Sequence, residues 1–193
     1  MPRSATAGGS DQPPEPWRSF LKALDERLEG TVDAHCIGGF AVTMQFGISR
    51  ATSDIDVLTA VPNQELANLQ RVGGQGSDLH KRFKLYLQPV TVACYPEDYE
   101  QRLIRMWPRF KLAHLRLYAL ESHDLALTKL ERNSDVDRQD ILALAKAGLI
   151  VVETIRDRYE KEFRPNLVSN VEKHDLTLEL WTEMCWPPDR HSA

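Results

Sequence analysis

Two aspartates separated by one residue, Asp54 and Asp56, are the residues of this sequence best suited to chemistry. They lie in residues 53–59, where Ile55 and Val57 alternate with the acids and predict a strand. Because side chains at i and i+2 of a strand point to the same face, the two carboxylates should lie close together. Such a pair repels itself unless a cation lies between its oxygens, and carboxylate oxygens suit Mg²⁺ or Mn²⁺. The spacing therefore predicts a divalent metal site.

A pair of glycines, Gly38 and Gly39, precedes this strand. It follows a short apolar segment, residues 32–37, and comes before a brief helix predicted at residues 40–46. Glycine lets the backbone approach a phosphate closely, and N–H groups at the start of a helix can bind it. A metal-binding carboxylate pair beside such a turn is what phosphoryl or nucleotidyl transfer needs. The structural alternatives are a polar face on a surface strand and a simple tight turn.

This combination resembles the signature of polymerase-β-type nucleotidyltransferases: a Gly-Gly turn, a short helix, then Arg-x-Thr-x-Asp-Ile-Asp-Val at residues 50–57. The resemblance is tightest over residues 35–59. More loosely, residues 127–132 and 137–140 are similar to the C-terminal motif of small stand-alone bacterial relatives, including the AbiEii-type toxins of toxin–antitoxin systems. The resemblance to nucleotidyltransferases implies an enzyme that moves an NMP from an NTP to an acceptor. The acceptor could be RNA, a protein or a small molecule. If the protein is a toxin, the resemblance also implies that it binds an antitoxin partner.

The resemblance also implies roles for individual residues. Asp54 and Asp56 would hold the metal and would form the catalytic group together with Lys129 and Asp137. The residues implied to bind the nucleotide are Gly38, Gly39, Arg50 and Ser53.

The other four of these residues also have structural alternatives. Ser134 and Asp137 fit the Ser-x-x-acid pattern of a helix capping box, which explains Asp137 without catalysis. Lys129 lies in a predicted amphipathic helix, where a solvated lysine is as reasonable as a ligand contact. Arg50 could pair with an acid, and Ser53 could hydrogen-bond near Asp54.

One feature of the superfamily is missing from the sequence. Its active members usually carry a third carboxylate on a following strand. The matching strand is predicted at residues 90–95, after a turn at residues 88–89, and alternation puts Thr91 or Ala93 where the acid belongs. Asp98 is better placed to cap a helix. The sequence therefore leaves a second hypothesis, a nucleotide- or partner-binding module of the same fold without catalysis.

The elements that must position these residues predict an α/β (α+β) fold. A mixed sheet with flanking helices would form a nucleotidyltransferase core at residues 16–121. A disordered lead at residues 1–15 would precede it, and a helical C-terminal portion packed on the core, residues 122–186, would follow, with a tail at 187–193. The remaining predicted strands are 83–87 and 112–120, and the remaining helices are 17–30, 62–72, 98–106, 122–131, 135–147, 151–162 and 169–185.

Composition excludes some classes of protein. The 193 residues are 42% hydrophobic and 27% charged, with a net charge of −4, which fits a globular protein and argues against a whole-protein polyanion binder. Residues 80–116 hold eight Lys or Arg against three acids, so an RNA partner is possible. Three scattered cysteines suit the cytoplasm and exclude a disulfide framework. No apolar run approaches the roughly 20 residues of a membrane span, and the N-terminus lacks the pattern of a secretory signal.

Overall fold

The computed structural model describes residues 11–48, 51–90 and 94–187. The chain divides into two compact units. The first is Met1–Thr91 with Leu103–Leu120, and the second is Val92–Arg102 with Glu121–Ala193. The predicted division into a lead at residues 1–15, a core at 16–121, a helical portion at 122–186 and a tail at 187–193 stays a prediction. None of the described helices is long and apolar enough to cross a membrane.

The first unit is built on a five-stranded sheet. Its strands are β1 (Val32–Ile37), β2 (Asp54–Val61), β3 (Tyr86–Pro89), β4 (Ile104–Arg105) and β5 (Leu115–Ala119). Their spatial order is β3-β2-β1-β5-β4. β1 runs antiparallel to β2 and parallel to β5, β2 runs parallel to β3, and β4 runs antiparallel to β5. The predicted mixed sheet is therefore confirmed.

Helices flank this sheet. They are α1 (Trp17–Asp25), α2 (Gly38–Met44), α3 (Glu65–Gly73) and α4 (Asp78–Phe83). The apolar residues of α1 recur at helical spacing and are buried, and the Trp17 ring packs edge-on against Phe40 of α2, with centroids 4.9 Å apart. Asp25 ends α1, and its carboxylate accepts the backbone N–H groups of Ala113, His114 and Leu115 at 2.7–2.8 Å. This carboxylate fixes the start of β5 against α1.

Two predictions in this unit are wrong. The strand predicted at residues 83–87 is divided between α4, which Ser77 caps by accepting the His80 N–H, and β3. The turn predicted at residues 88–89 is part of β3, which tolerates Pro89 because β3 is an edge strand. Of the strand predicted at residues 90–95, residues 91–93 lie outside the described ranges, and residues 90, 94 and 95 are not in a strand.

The second unit is helical, as predicted. Its helices are α5 (Ser122–Leu127), α6 (Asp135–Lys146), α7 (Val152–Arg158) and α8 (Val171–Cys185), with a π-helical turn at Tyr159–Phe163 and 3₁₀ turns at Tyr99–Arg102 and Arg164–Asn166. The helix predicted at residues 98–106 is thus only a 3₁₀ turn, followed by β4. A buried ionic network holds these elements together: Asp124 is fully buried and accepts hydrogen bonds from both Arg102 and Arg158.

Candidate active site

The two predicted metal ligands lie side by side on β2. Ile55 and Val57 are buried on one face of the strand, while Asp54 and Asp56 are half-buried on the other. Both carboxylates accept a hydrogen bond from the same side-chain nitrogen, Gln88 Nε2, which lies 3.1 Å from Asp54 Oδ2 and 2.6 Å from Asp56 Oδ1. The two acids therefore converge on one small volume rather than pointing apart.

Gln88 is the site residue that the sequence prediction missed. It lies on β3, in parallel register with Asp56 on β2. Pro89 made residues 88–89 resemble a turn, although Leu85 and Leu87 are buried and alternate with the half-exposed Tyr86 and Gln88. That period of two was the available signal for a strand that presents Gln88 to the acids.

The chain before β2 also supports Asp54. The Thr52 hydroxyl donates to Asp54 Oδ1 at 3.1 Å, so each oxygen of this carboxylate accepts a hydrogen bond from a neutral group. Ser53 is exposed, and its backbone carbonyl accepts the Tyr86 N–H at 3.1 Å, which joins β2 to β3. Arg50 lies outside the described residues, so its predicted contact with nucleotide stays a prediction.

The glycine bend touches the acid pair. Ile37, the last residue of β1, pairs with Asp56, and α2 begins at the next residue, Gly38. Gly38 has a φ of +68°, and a Cβ at this position would lie 1.9 Å from Asp56 Oδ2. Only glycine leaves room for that carboxylate. Gly39 is buried in the first turn of α2, which no described side chain caps.

The negative charge of the acids affects nearby groups. Burial, together with the charges of Asp54 and Asp56, raises the pKa of the Tyr86 hydroxyl. Burial and, secondarily, the charge of Asp56 raise the pKa of the fully buried Cys36 thiol. Because the thiolate is the reactive form, Cys36 is an inert packing residue here. All three cysteines are free.

Lys129 and Asp137 belong to the second unit and are bonded to each other. Lys129 is buried, and its Nζ lies 3.3 Å from Asp137 Oδ1 and 2.9 Å from Asp140 Oδ2. The alternative of a solvated lysine is therefore wrong. The predicted contact of Lys129 with phosphate stays a prediction.

Asp137 is fully buried, and its carboxylate is saturated with donors. It accepts two hydrogen bonds from Arg132, at 2.6 and 2.7 Å, and both the N–H and the hydroxyl of Ser134. Although burial opposes ionisation, these hydrogen bonds and the charge of Lys129 hold the pKa of Asp137 well below its usual range. The capping box proposed as the structural alternative is confirmed. A catalytic role of Asp137 stays a prediction.

The oxygen atoms around the acid pair fit a hard divalent cation. The two carboxylates and the hydroxyl of Thr52 offer oxygen ligands, the type that Mg²⁺ and Mn²⁺ prefer, while Gln88 directs its amide nitrogen at the carboxylates. Within the described ranges, however, no group of three or more His, Cys, Asp or Glu residues comes together in a way that could hold a metal. The neutral side chains of Gln88 and Thr52 contact this carboxylate pair.

The basic stretch at residues 80–116 is partly neutralised. Four of its eight cationic side chains form ion pairs with acids. They are Lys81, Arg102, Arg109 and Arg116. Arg105 in addition stacks over the Tyr118 ring, 5.3 Å from its centroid. These contacts leave a smaller positive surplus for RNA than the sequence indicates.

Comparison with known proteins shows which family the chain matches. Residues 19–185 match the family described as nucleotidyltransferase of unknown function (DUF6036), which is well over half of the chain. The matched range includes the acid pair, the glycine bend, Gln88, Lys129 and Asp137. No curated protein and no solved structure matches the chain.

Proposed function

Since the chain belongs to this family of nucleotidyltransferases of unknown function, we propose that it moves an NMP from an NTP to an acceptor in a reaction that depends on Mg²⁺ or Mn²⁺. A hydroxyl of the acceptor attacks the α-phosphorus, a new P–O bond forms, and the bond to the β-phosphate breaks. Pyrophosphate leaves with the bonding electrons, and the hydroxyl proton passes to solvent. The acceptor is RNA, a protein or a small molecule.

The observation that carries this proposal is the contact between the glycine bend and the acid pair. Gly38 lies so close to Asp56 that a methyl group would overlap its carboxylate, while Asp54 converges on the same volume. A phosphate bound at the bend would therefore lie beside a cation held by both acids. This juxtaposition brings the triphosphate and its counter-charge together, which is the main task of a protein in phosphoryl transfer.

The remaining residues take the following roles in the proposal. Asp54 and Asp56 hold the cation, which when bound neutralises charge on the triphosphate. The backbone of Gly38 and Gly39 contacts the phosphates, as do Arg50 and Ser53. Lys129 and Asp137, from the second unit, are the other members of the proposed catalytic group.

Lys129 can bind phosphate only if it gives up at least one of its present ion pairs. Its ammonium group is bonded to Asp137 and Asp140, so phosphate must compete with two buried carboxylates for it. The two hydrogen bonds from Arg132 to Asp137 do not involve Lys129. Asp137 therefore acts in the proposal by positioning Lys129.

A second candidate is a nucleotide-binding module of the same fold that has lost catalysis. It is favoured by Gln88, since the group that bridges the two acids is a neutral amide that cannot take a proton from an acceptor. This candidate also requires Mg²⁺-dependent binding of NTP. The two candidates therefore differ in turnover and not in binding.

The test measures pyrophosphate release with each NTP, Mg²⁺ and a panel of RNA, protein and small-molecule acceptors. The proposal predicts turnover that Asp56→Asn abolishes while the far-ultraviolet circular dichroism spectrum is unchanged. Tight Mg²⁺-dependent binding of NTP without turnover on any acceptor would favour the second candidate.

From the resemblance to AbiEii-type toxins, we further propose that the protein acts in the cytoplasm as the toxin of a toxin–antitoxin or phage-defence system and binds an antitoxin partner. Induced expression should then arrest growth, and Asp56→Asn should remove the arrest. Normal growth at equal levels of wild-type protein would contradict the toxin role without affecting the proposed reaction.

A further inference from the structure

We propose that Gln88 is a third member of the cation site. Its amide nitrogen holds the two carboxylates together when no cation is bound, and its amide oxygen becomes a neutral ligand when one binds. The inference rests on the proposed function, because it takes Asp54 and Asp56 as the charged ligands.

The Gln88 amide nitrogen has one hydrogen for each of the two carboxylates. An amide nitrogen carries two hydrogens, and Gln88 Nε2 has two carboxylate acceptors, Asp54 Oδ2 at 3.1 Å and Asp56 Oδ1 at 2.6 Å. A neutral group that donates to both anions relieves part of the repulsion that a cation would otherwise relieve. In this state Gln88 keeps the two oxygens facing the same point.

The backbone holds Gln88 at this point. β3 runs parallel to β2 with Gln88 in register with Asp56, and the Val90 N–H donates to the Val57 carbonyl at 2.9 Å just beyond it. Leu87, beside Gln88 in β3, is buried on the opposite face. Because both strands are fixed, the amide group changes partners by side-chain rotation, and the smallest such movement is a turn about its own terminal bond.

A half-turn about that bond exchanges the amide oxygen and nitrogen. The torsion is broad and nearly two-fold, so the turn needs no movement of the strand. Adjacent oxygen ligands of an octahedral cation with metal–oxygen bonds of about 2.1 Å lie about 2.9 Å apart. The present separations of 2.6 and 3.1 Å lie on either side of this value. After the half-turn, the distances from the amide oxygen to the two carboxylate oxygens would therefore be those between neighbouring ligands of one cation.

Two consequences follow for the site. The three side chains carry a total charge of −2, which matches a divalent cation, whereas a third acid would bring the charge to −3. Gln88 also takes no proton, so it contributes to binding and orientation only.

The experiment measures Mn²⁺ binding without nucleotide, by electron paramagnetic resonance of the free ion, and thermal unfolding in EDTA. Gln88→Met keeps the length of the side chain and removes its polar atoms, and Gln88→Glu adds a charge. The matched control is Gln70→Met, because Gln70 is exposed on α3. Circular dichroism verifies the fold of every variant.

We expect Gln88→Met to weaken Mn²⁺ binding about tenfold, since a ligand is lost. Gln88→Glu should tighten binding about tenfold and lower the unfolding temperature in EDTA, because three carboxylates then repel one another. The variant Gln70→Met should behave as wild type in both measurements.

Unchanged or tighter binding by Gln88→Met would overturn the inference, because the amide would then only compete with the cation. The variant Asp56→Asn separates this failure from a failure of the proposed function. If wild type and Asp56→Asn bind Mn²⁺ equally, the acids are not the metal site and both proposals fail. If Asp56→Asn loses binding while Gln88→Met keeps it, only the role of Gln88 fails.

Discussion

Replacing Gly38 with alanine tests the contact between the glycine bend and the acid pair. The new Cβ would lie 1.9 Å from Asp56 Oδ2 and 2.8 Å from its Cγ. A φ of +68° costs a non-glycine residue roughly 1 kcal/mol. To avoid the overlap, Asp56 must also give up its 2.6 Å bond from Gln88, and a hydrogen bond to a charged group contributes about 1.5–3 kcal/mol. We therefore expect Gly38→Ala to lower the free energy of unfolding by about 2.5–4 kcal/mol.

Two further variants separate the overlap from the backbone strain. Gly47 has a nearly identical φ of +70°, but a Cβ there would meet no described atom within 4 Å, so Gly47→Ala should cost only about 1 kcal/mol. Asp56→Ala removes the carboxylate and leaves a Cβ 3.1 Å from the new methyl group. In that background the cost of Gly38→Ala should fall towards the cost of Gly47→Ala.

The assay is urea unfolding followed by circular dichroism on the members of this double-mutant cycle. A cost of Gly38→Ala no greater than that of Gly47→Ala would show that the overlap with Asp56 does not contribute. An equal cost of Gly38→Ala in the wild-type and Asp56→Ala backgrounds would show the same.

Three other predictions concern charged side chains that are buried or half-buried, and each is checked by urea unfolding. Lys129→Met should cost about 3 kcal/mol, because Asp137 is left buried without one of its cations; a neutral result would contradict the structural role of the pair. Asp25→Ala should cost about 3 kcal/mol, since three backbone N–H groups lose their acceptor, and a cost below 1 kcal/mol would contradict this. Burial opposes ionisation of Glu121, but the hydrogen bond from His123 and neighbouring charge lower its pKa from 4.5 to about 2. Ionised Glu121 therefore adds stability above pH 4.5, and this contribution of about 3 kcal/mol is lost as the pH falls from 4.5 towards 2. Glu121→Gln should be less stable than wild type at pH 6, and a difference that does not shrink in acid would contradict the assignment.

Much of the first unit is determined by local patterns in the sequence. The strand Val32–Ile37 has the predicted bounds, because an apolar run ends there at a glycine that must adopt a positive φ. The alternation around Asp54 and Asp56 predicted correctly that the two acids share a face. These features depend on neighbours in sequence and on the period of the strand.

The contacts that complete the site are not local. Gln88 contacts the acids only because β3 pairs with β2 in a particular register. The adjacent Pro89 favours a turn in the sequence-based prediction, so the strand was not predicted there. Lys129 and Asp137 illustrate the same difficulty: helical spacing places a lysine on a surface, whereas the fold buries it between acids of the following helix. The capping box at Ser134 was predictable because it depends on four consecutive residues.

The most direct test of the account is calorimetric titration with a non-hydrolysable NTP analogue, in Mg²⁺ and in EDTA, for wild type and Asp56→Asn. We expect wild type to bind the analogue only in Mg²⁺ and Asp56→Asn to lose this binding, although that variant unfolds at a similar temperature. Equal binding of the analogue in EDTA and Mg²⁺, or unchanged binding by Asp56→Asn, would contradict the claim that the acids hold a cation against the phosphates.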